Sequence, residues 1–285
     1  MLRFGHNLLR RTYTAAAAVA GAAAITSAAT TTSASATASS FGESRTDERL
    51  KVLITGFNDW HELDNNVWRC VDNPACRLLV GPPCNSPPLV RHGPLVLAIR
   101  EALGNSVECH FQTLPVTWGT ASGLDLMQFD LVVHLGLGVY DCHDNILLEH
   151  NAYNLRCDKP DALACKGGGT AITVDAAETF EPAALATRYA LLALGDTSLP
   201  GGFRLSTAEA RSVNTYICNE THWRALKAVE AAAEAPPSGG HQPPRLRSAY
   251  FIHLPHASDD LGGYKGLARA VAEVISRIVK LETGV

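Results

Sequence analysis

The chain has 285 residues, of which 46% are hydrophobic and 18% are charged, so it is long enough to bury a complete core. Its formal net charge is -4, and no basic cluster occurs beyond the first 46 residues. Because phosphate binding needs concentrated positive charge, this composition argues against nucleic acid as the main partner. Small neutral ligands or peptides fit the composition better.

Residues 1–46 differ in composition from the rest of the chain. Before Glu43 they carry the arginines Arg3, Arg10 and Arg11 and no acidic residue, and they are rich in Ala, Ser and Thr. Such a start is typical of a mitochondrial presequence, although the alanine run could also be the core of a secretory signal. It is too short and too weakly apolar for a membrane span. A disordered extension or a wrongly assigned start are further alternatives. We therefore predict a leader that contributes nothing to the core, followed by one domain over residues 47–285.

The eight cysteines show no CxxC pair and no Cys/His spacing typical of a metal site. In a chain of this size, scattered reduced thiols fit better than a disulfide framework. Cys70, Cys76 and Cys84 lie closest together, and a structural zinc or a disulfide there is the less favoured alternative. The glycines at 136 and 138 lack the third glycine of a dinucleotide fingerprint. We predict neither a metal nor an organic cofactor.

Apolar runs and amphipathic segments alternate along residues 47–285 and predict strands and helices in alternation. In chain order they are a strand at 51–57, a helix at 95–103, strands at 107–116 and 129–137, a helix at 182–195, a strand at 203–206, a helix at 220–234, a strand at 246–254 and an amphipathic helix at 267–281. An irregular stretch precedes the first helix, and residues 156–180 are predicted to form a long loop, a candidate substrate lid. Nearly continuous apolar strands suit a parallel sheet covered on both faces. The pattern thus predicts a three-layer α/β/α sandwich with a mostly parallel sheet.

Cys218 carries the strongest chemical signal in the chain. It lies between the predicted strand at 203–206 and the predicted helix at 220–234, which places its side chain at a helix N-terminus. A helix N-terminus and a neighbouring imidazolium both lower the pKa of a thiol, and the thiolate is the nucleophilic form. Taken alone, a buried core thiol is the alternative interpretation.

Two further segments each place one ionisable residue at the end of an apolar run: Glu149 after residues 146–148, and His253 within residues 251–255. Strand ends are where α/β sheets gather their chemistry, so these side chains could meet Cys218. Histidine can take a thiol proton and return it to a leaving amine, and a carboxylate can orient the imidazole. The alternatives are a core histidine and an exposed acid at a strand end.

These motifs, in this order, resemble the pyroglutamyl peptidase I family of cysteine peptidases over about residues 50–282. The segments that carry the resemblance are Val-Leu-Ile-Thr-Gly-Phe at 52–57, Val-Val-His-Leu-Gly at 132–136, Leu-Glu at 148–149, Tyr-Ile-Cys-Asn at 216–219 and Phe-Ile-His-Leu-Pro at 251–255. The resemblance implies a phosphorylase/hydrolase-like fold and a divergent member with Glu149, Cys218 and His253 as catalytic residues. It also implies a cytoplasmic protein, whereas the leader indicates the mitochondrial matrix as the alternative.

In the family, the 5-oxoproline ring of the substrate packs against aromatic side chains of a Gly-Phe-x-Pro-Phe pattern. The resemblance therefore implies that Phe57 and Trp60 bind substrate, with Trp60 in place of the second Phe and Asp59 in place of Pro. Leu137 stands where many members have a glutamine. The Asn-Pro motif of the family has two imperfect counterparts, at 66 and at 85–87, and Arg156 and Lys159 are the nearest candidates for its arginine.

The resemblance implies a cysteine-type omega-peptidase that removes an N-terminal pyroglutamyl residue from small peptides with a blocked N-terminus. Neither nucleic acid nor a membrane is an expected partner. The departures at Asp59, Trp60 and Leu137 keep two alternatives open. One is a peptide-binding protein of the same fold without catalysis, and the other is a thiol hydrolase that acts on a different amide.

Overall fold

The computed structural model describes residues 49–64, 67–81, 93–138, 143–173, 184–186, 197–208, 215–235 and 244–284. For residues 61–64, 67–71, 184–186 and 208 it describes the backbone alone. The predicted leader at 1–46 lies outside these ranges, so the predicted domain boundary stays a prediction.

The described residues form ten strands and four α-helices. The strands are β1 (Leu50–Phe57), β2 (Trp60–Asp64), β3 (Val67–Val71), β4 (Val107–Leu114), β5 (Leu131–Leu137), β6 (Asn145–Glu149), β7 (Asn151–Tyr153), β8 (Ala184–Ala186), β9 (Arg204–Ala208) and β10 (Ser248–Leu254). The helices are α1 (Pro74–Val80), α2 (Pro94–Leu103), α3 (Ile217–Glu234) and α4 (Gly263–Thr283).

Six strands form the central sheet, in the order β4-β1-β5-β10-β6-β9. All neighbouring pairs are parallel except β10 and β6, which are antiparallel. The carboxyl ends of β1, β5 and β10 consequently meet at one edge of the sheet. The mostly parallel sheet confirms the predicted topology.

Helices cover the sheet on both faces and make three layers. Buried side chains of α1, α2 and α4 pack with alternate strand residues such as Val52, Val133 and Tyr250. The intervening residues, among them Val132 and Ala249, pack with α3 on the opposite face. Because strand side chains alternate between faces, this places His134, Gly136, Glu149, Phe251 and His253 on the face that α3 covers.

Every predicted central strand is present, with ends that differ by a few residues. The strand predicted at 107–116 ends at Leu114 because Pro115, which follows it, cannot donate a hydrogen bond to a neighbouring strand. The helix predicted at 220–234 begins at Ile217, which brings Cys218 into its first turn.

Two predictions about the connections are wrong. The stretch predicted as irregular contains the β2–β3 hairpin and α1, whose first turn is capped by the Asn73 side chain, which accepts a bond from the Ala75 N–H at 3.0 Å. Residues 184–186, predicted as helix, form β8 and pair with β7. A strand this short has no periodicity of its own, so its partner decides its conformation. The rest of the predicted helix at 182–195 lies outside the described residues.

Residues 156–173 contain no helix and no regular strand, as predicted, and are joined by an isolated bridge between Pro160 and Lys166. Within the described ranges, no helix is long and apolar enough to cross a membrane. Nor do these ranges hold a group of three His, Cys, Asp or Glu side chains arranged to bind a metal ion. Cys76, one of the three cysteines nearest in sequence, is buried in α1.

Candidate active site

The thiol of Cys218 lies in the first turn of α3, and that turn is fixed to the strand and loop beside it. The Asn219 amide accepts a hydrogen bond from the Tyr153 N–H at 2.8 Å and donates to the carbonyls of Tyr153 and Leu155 at 2.8 and 3.0 Å. Just before the helix, the Cys157 N–H donates to the Thr215 carbonyl at 2.9 Å. Asn219 thus anchors the turn that carries the Cys218 thiol, a role that its place in the Tyr-Ile-Cys-Asn motif does not show by itself.

The carboxylate of Glu149 contacts the imidazole of His253 between β6 and β10. The distance from Glu149 Oε2 to His253 Nε2 is 2.5 Å. The antiparallel register sets Phe251 opposite Glu149 and Leu147 opposite His253, so the two polar side chains are diagonal neighbours. Glu149 is buried, and the imidazole gives its carboxylate the partner that a buried charge requires.

Gly136 brings Cys218 close to this pair. It lies beside His253 in the parallel register of β5 and β10. A Cβ placed on Gly136 would lie 3.1 Å from Cys218 Sγ and 2.8 Å from a ring carbon of Phe251. The Phe251 ring is in turn 4.8 Å, centroid to centroid, from the His253 ring. The structure therefore gathers the thiol, the imidazole and the carboxylate on one face of the sheet, and the missing side chain at Gly136 leaves room for the sulfur.

The pKa of Cys218 is shifted opposite to our expectation. Burial and the negative charge of Glu149 raise the pKa of this thiol to about 12, and only its backbone hydrogen bond acts in the lowering direction. The expectation rested on the helix N-terminus and a charged imidazole, and it omitted the nearby carboxylate. In this resting arrangement the thiol is protonated at neutral pH.

Two further histidines lie under the site and carry no charge. His134 and His222 are fully buried, and burial lowers the pKa of each to about 3. His134 Nδ1 is 2.6 Å from the Thr55 hydroxyl oxygen. Both rings also pack near Phe251, with centroid distances of 6.2 Å for His134 and 6.0 Å for His222. His253 differs from these two uncharged rings because its neighbour is the Glu149 carboxylate.

The segment proposed to contact substrate follows β1. Phe57 is 3% exposed and its ring lies 6.4 Å from that of Phe251, so it belongs mainly to the core beneath the site. Trp60 is partly buried and packs against the same apolar cluster as Cys218. Asp59 accepts a bond from the Asn73 N–H at 2.8 Å and pairs with Arg77 at 2.7 Å. Asp59, which stands where the family pattern has proline, therefore connects the segment after β1 to α1.

The structure describes some, but not all, of the other positions at which this sequence differs from the family pattern. Leu137 is the last residue of β5 and is half-buried. Asn66 and Asn85 both lie outside the described residues. Arg156 forms an ion pair with Glu220 at 2.5 Å, whereas the Lys159 carbonyl accepts a bond from the Trp118 indole at 3.3 Å.

Fold and site together define a three-layer α/β protein that carries a cysteine, a histidine and a glutamate on one face of a mixed sheet. No protein-family model matches the chain, and no curated protein matches it.

Solved structures that match this chain include pyrrolidone carboxyl peptidases from several species. A mutant enzyme from Pyrococcus furiosus is 18% identical with a TM-score of 0.51, and the match covers 81% of this chain and 99% of that one. The enzyme from Fervidobacterium islandicum AW-1 is 19% identical with a TM-score of 0.53, at 81% and 99% coverage. The one from Thermococcus litoralis is 20% identical with a TM-score of 0.51, at 83% and 96% coverage. Pyrrolidone carboxylate and pyroglutamate are two names for one acid, so these enzymes bear another name of the family that the motifs resemble. Their likeness to this chain confirms the fold that the motifs implied.

Proposed function

We propose that this protein is a cysteine-type omega-peptidase that hydrolyses an N-terminal pyroglutamyl residue from peptides. The observation that carries the proposal is the Glu149–His253 contact beside Cys218. Support comes from the pyrrolidone carboxyl peptidase fold, on which these three residues fall at motifs that resemble that family.

The proposed reaction assigns one role to each of the three residues. Glu149 binds Nε2 of His253 and orients the ring, so that Nδ1 serves the thiol. His253 takes the Cys218 proton as the sulfur attacks the pyroglutamyl carbonyl, and it then returns that proton to the amine as the C–N bond breaks. Water next attacks the thioester and gives a proton to His253, which passes it to the Cys218 sulfur as the C–S bond breaks and pyroglutamate is released.

The raised thiol pKa affects the order of these steps. Since Cys218 is protonated at rest, proton transfer to His253 accompanies formation of the C–S bond instead of preceding it. A bound substrate that displaces water and develops charge on its carbonyl oxygen gives the transfer its driving force.

A pyroglutamyl group suits the surroundings of Cys218. It is a flat, uncharged lactam that can pack on an aromatic ring and form hydrogen bonds to backbone groups. Trp60 lies against the apolar cluster that includes Cys218, and we assign it to the wall of the lactam pocket, with Phe57 in the core behind it. Peptides with this blocked N-terminus are the proposed substrates.

Trp60→Ala is expected to raise KM, because the lactam ring loses part of its stacking surface. The loss of a buried contact of this size amounts to about 1 to 3 kcal/mol. The effect on kcat should be smaller, since ring binding is felt in both the ground state and the transition state. Steady-state kinetics on a pyroglutamyl amide measure both constants. Unchanged kinetics in a folded Trp60→Ala protein would place the pocket elsewhere.

The domain organisation is part of the same proposal: residues 1–46 form a leader and residues 47–285 form a single peptidase domain. The family resemblance favours the cytoplasm as the location. The arginine-bearing, acid-free start favours the mitochondrial matrix as the alternative.

A panel of fluorogenic amides tests the substrate class. We expect hydrolysis of a pyroglutamyl amide and no comparable hydrolysis of prolyl, glutaminyl or acetylated amides. Hydrolysis of another member of the panel alone would identify a different thiol hydrolase. The raised pKa of Cys218 and the replacements at Asp59 and Leu137 favour a second candidate, a peptide-binding protein without catalysis. That candidate predicts binding of pyroglutamyl peptides with no turnover.

A further inference from the structure

Glu220 is a buried acid in the first turn of α3, two residues after Cys218 and 1% exposed. Its carboxylate accepts hydrogen bonds from three groups. Arg156 donates through Nε at 3.2 Å and through its terminal nitrogen at 2.5 Å, the Gly119 N–H donates at 3.0 Å, and Arg224 Nε donates at 2.9 Å. Burial alone would raise the pKa of Glu220, but these bonds outweigh it and lower the pKa, so the carboxylate is charged at neutral pH.

The two arginines reach Glu220 from different places. Arg224 belongs to α3 and lies one turn further along the helix. Arg156 belongs to the loop after β7, and Gly119 to the loop after β4. Glu220 therefore joins two separate loops to the turn that carries the nucleophile, while Arg224 stays within the helix.

Arg156 also lies against an aromatic pair beside the thiol. Its guanidinium carbon is 5.8 Å from the centre of the Trp118 ring. Trp118 meets Tyr216 edge to face, with 5.3 Å between ring centroids. We call Trp118 and Tyr216 the aromatic rim. Both residues are partly exposed and pack on the apolar cluster that includes Cys218.

The aromatic rim holds the loop at 157–167 in turn. The Tyr216 hydroxyl donates to the Pro160 carbonyl at 2.9 Å, and the Trp118 N–H donates to Asp161 at 3.1 Å. Gly167 packs so closely on Trp118 that a Cβ there would lie 2.7 Å from the indole. The rim and this loop thus form one connected wall, and Glu220 is the charged group that ties the wall to α3.

We propose that Glu220 is a positioning residue for substrate: through Arg156 and the Gly119 N–H, it fixes the aromatic rim as one wall of the entrance to Cys218. The inference rests on the proposed peptidase function and extends it to residues that no motif includes. A wall that a buried charge already holds in place lowers the ordering cost of binding a peptide, so its loss should appear mainly in KM.

The matched pair Arg156→Met and Arg224→Met tests the proposal on the full chain. Both arginines bind the same carboxylate, and their exposed fractions are 24% and 23%, so a purely structural charge network predicts similar losses from both. We expect Arg156→Met to raise KM for a pyroglutamyl peptide by about 10-fold, with a smaller change in kcat. Arg224→Met should stay within about 2-fold of the wild type in both constants. Equal effects of the two variants, or no effect of either, would overturn the proposal.

Arg156→Lys provides a milder change if Arg156→Met fails to fold. It keeps the charge but loses the two-pronged contact, so its KM should lie between those of the wild type and Arg156→Met. A wild-type KM in Arg156→Lys would also count against the proposal.

Hydrogen exchange separates failure of this inference from failure of the proposed function. If the wild type hydrolyses no pyroglutamyl substrate, the function is wrong, yet the wall remains testable. Amides at 157–167 should exchange faster in Arg156→Met, and in Arg156→Lys to a lesser degree, with no change in Arg224→Met. The same exchange in all four proteins would show that Glu220 does not hold the wall.

Discussion

Replacing Cys218 by alanine is expected to lower kcat for a pyroglutamyl amide by about 10^4-fold or more, because no neighbouring group can form the acyl intermediate. The fold should survive, since the substitution removes one sulfur atom from a half-buried position. The melting temperature and the kinetics of purified protein measure both effects.

Cys109→Ala is the matched control for Cys218→Ala. Cys109 is also a half-buried free thiol, and burial raises its pKa to about 11, but it lies on the edge strand β4. Its replacement should leave turnover unchanged. Near-normal rates in Cys218→Ala would contradict the thiol mechanism, whatever the control shows.

Glu149→Gln is expected to lower kcat by about 10^3-fold, because an amide no longer stabilises the imidazolium and can select the wrong tautomer of His253. The same change should make Cys218 more acidic. The charge of Glu149 raises the pKa of the thiol, so its removal should move that pKa down from about 12, while burial keeps it above the ordinary value of 9.0. If the Cys218 thiol of Glu149→Gln is more easily deprotonated and kcat is nevertheless lower, the orientation of the His253 ring limits the rate.

The pH dependence of alkylation measures this shift. In the wild type, the rate at which iodoacetamide labels Cys218 should still be rising above pH 9, because the thiolate fraction grows until the pKa is reached. In Glu149→Gln the rise should begin at lower pH. An unchanged profile would show that the carboxylate does not act on the thiol.

The raised pKa also predicts how the thiol affects stability. The protonated form is favoured in the folded state, so its contribution is complete below the unfolded pKa of 9.0 and is lost as the pH rises toward about 12. Between pH 9.0 and about 12, the free energy of unfolding should therefore fall less in Cys218→Ala than in the wild type.

The sequence predicted five of the six central strands, most of them from apolar runs, whereas the segment of β6 was noted only as an apolar run that ends at Glu149. Val132 to Leu135 is apolar except for His134, and the structure buries all of it. Glu149 and His253 were singled out because each ends or interrupts an apolar segment, and Cys218 because it precedes a predicted helix. The β2–β3 hairpin was missed because residues 60–71 alternate weakly and pair only with each other.

The remaining features depend on contacts between residues far apart in the chain. Glu220 and Arg156 are separated by 64 positions, and nothing in either local sequence indicates their pairing. The direction of the Cys218 pKa shift likewise depends on how deeply the sulfur is buried and how near Glu149 lies. Local patterns report which residue types are present, whereas burial and charge pairing arise only when the chain is folded.

A pyroglutamyl chloromethyl ketone tests the central claim most directly, because the lactam must be recognised before its electrophile can alkylate a thiol. Peptide mapping of the treated full chain identifies which of the eight cysteines is labelled. Our account predicts that Cys218 is labelled, and faster than by the matched prolyl chloromethyl ketone. Labelling of other cysteines with Cys218 untouched, or equal rates with the two reagents, would contradict it.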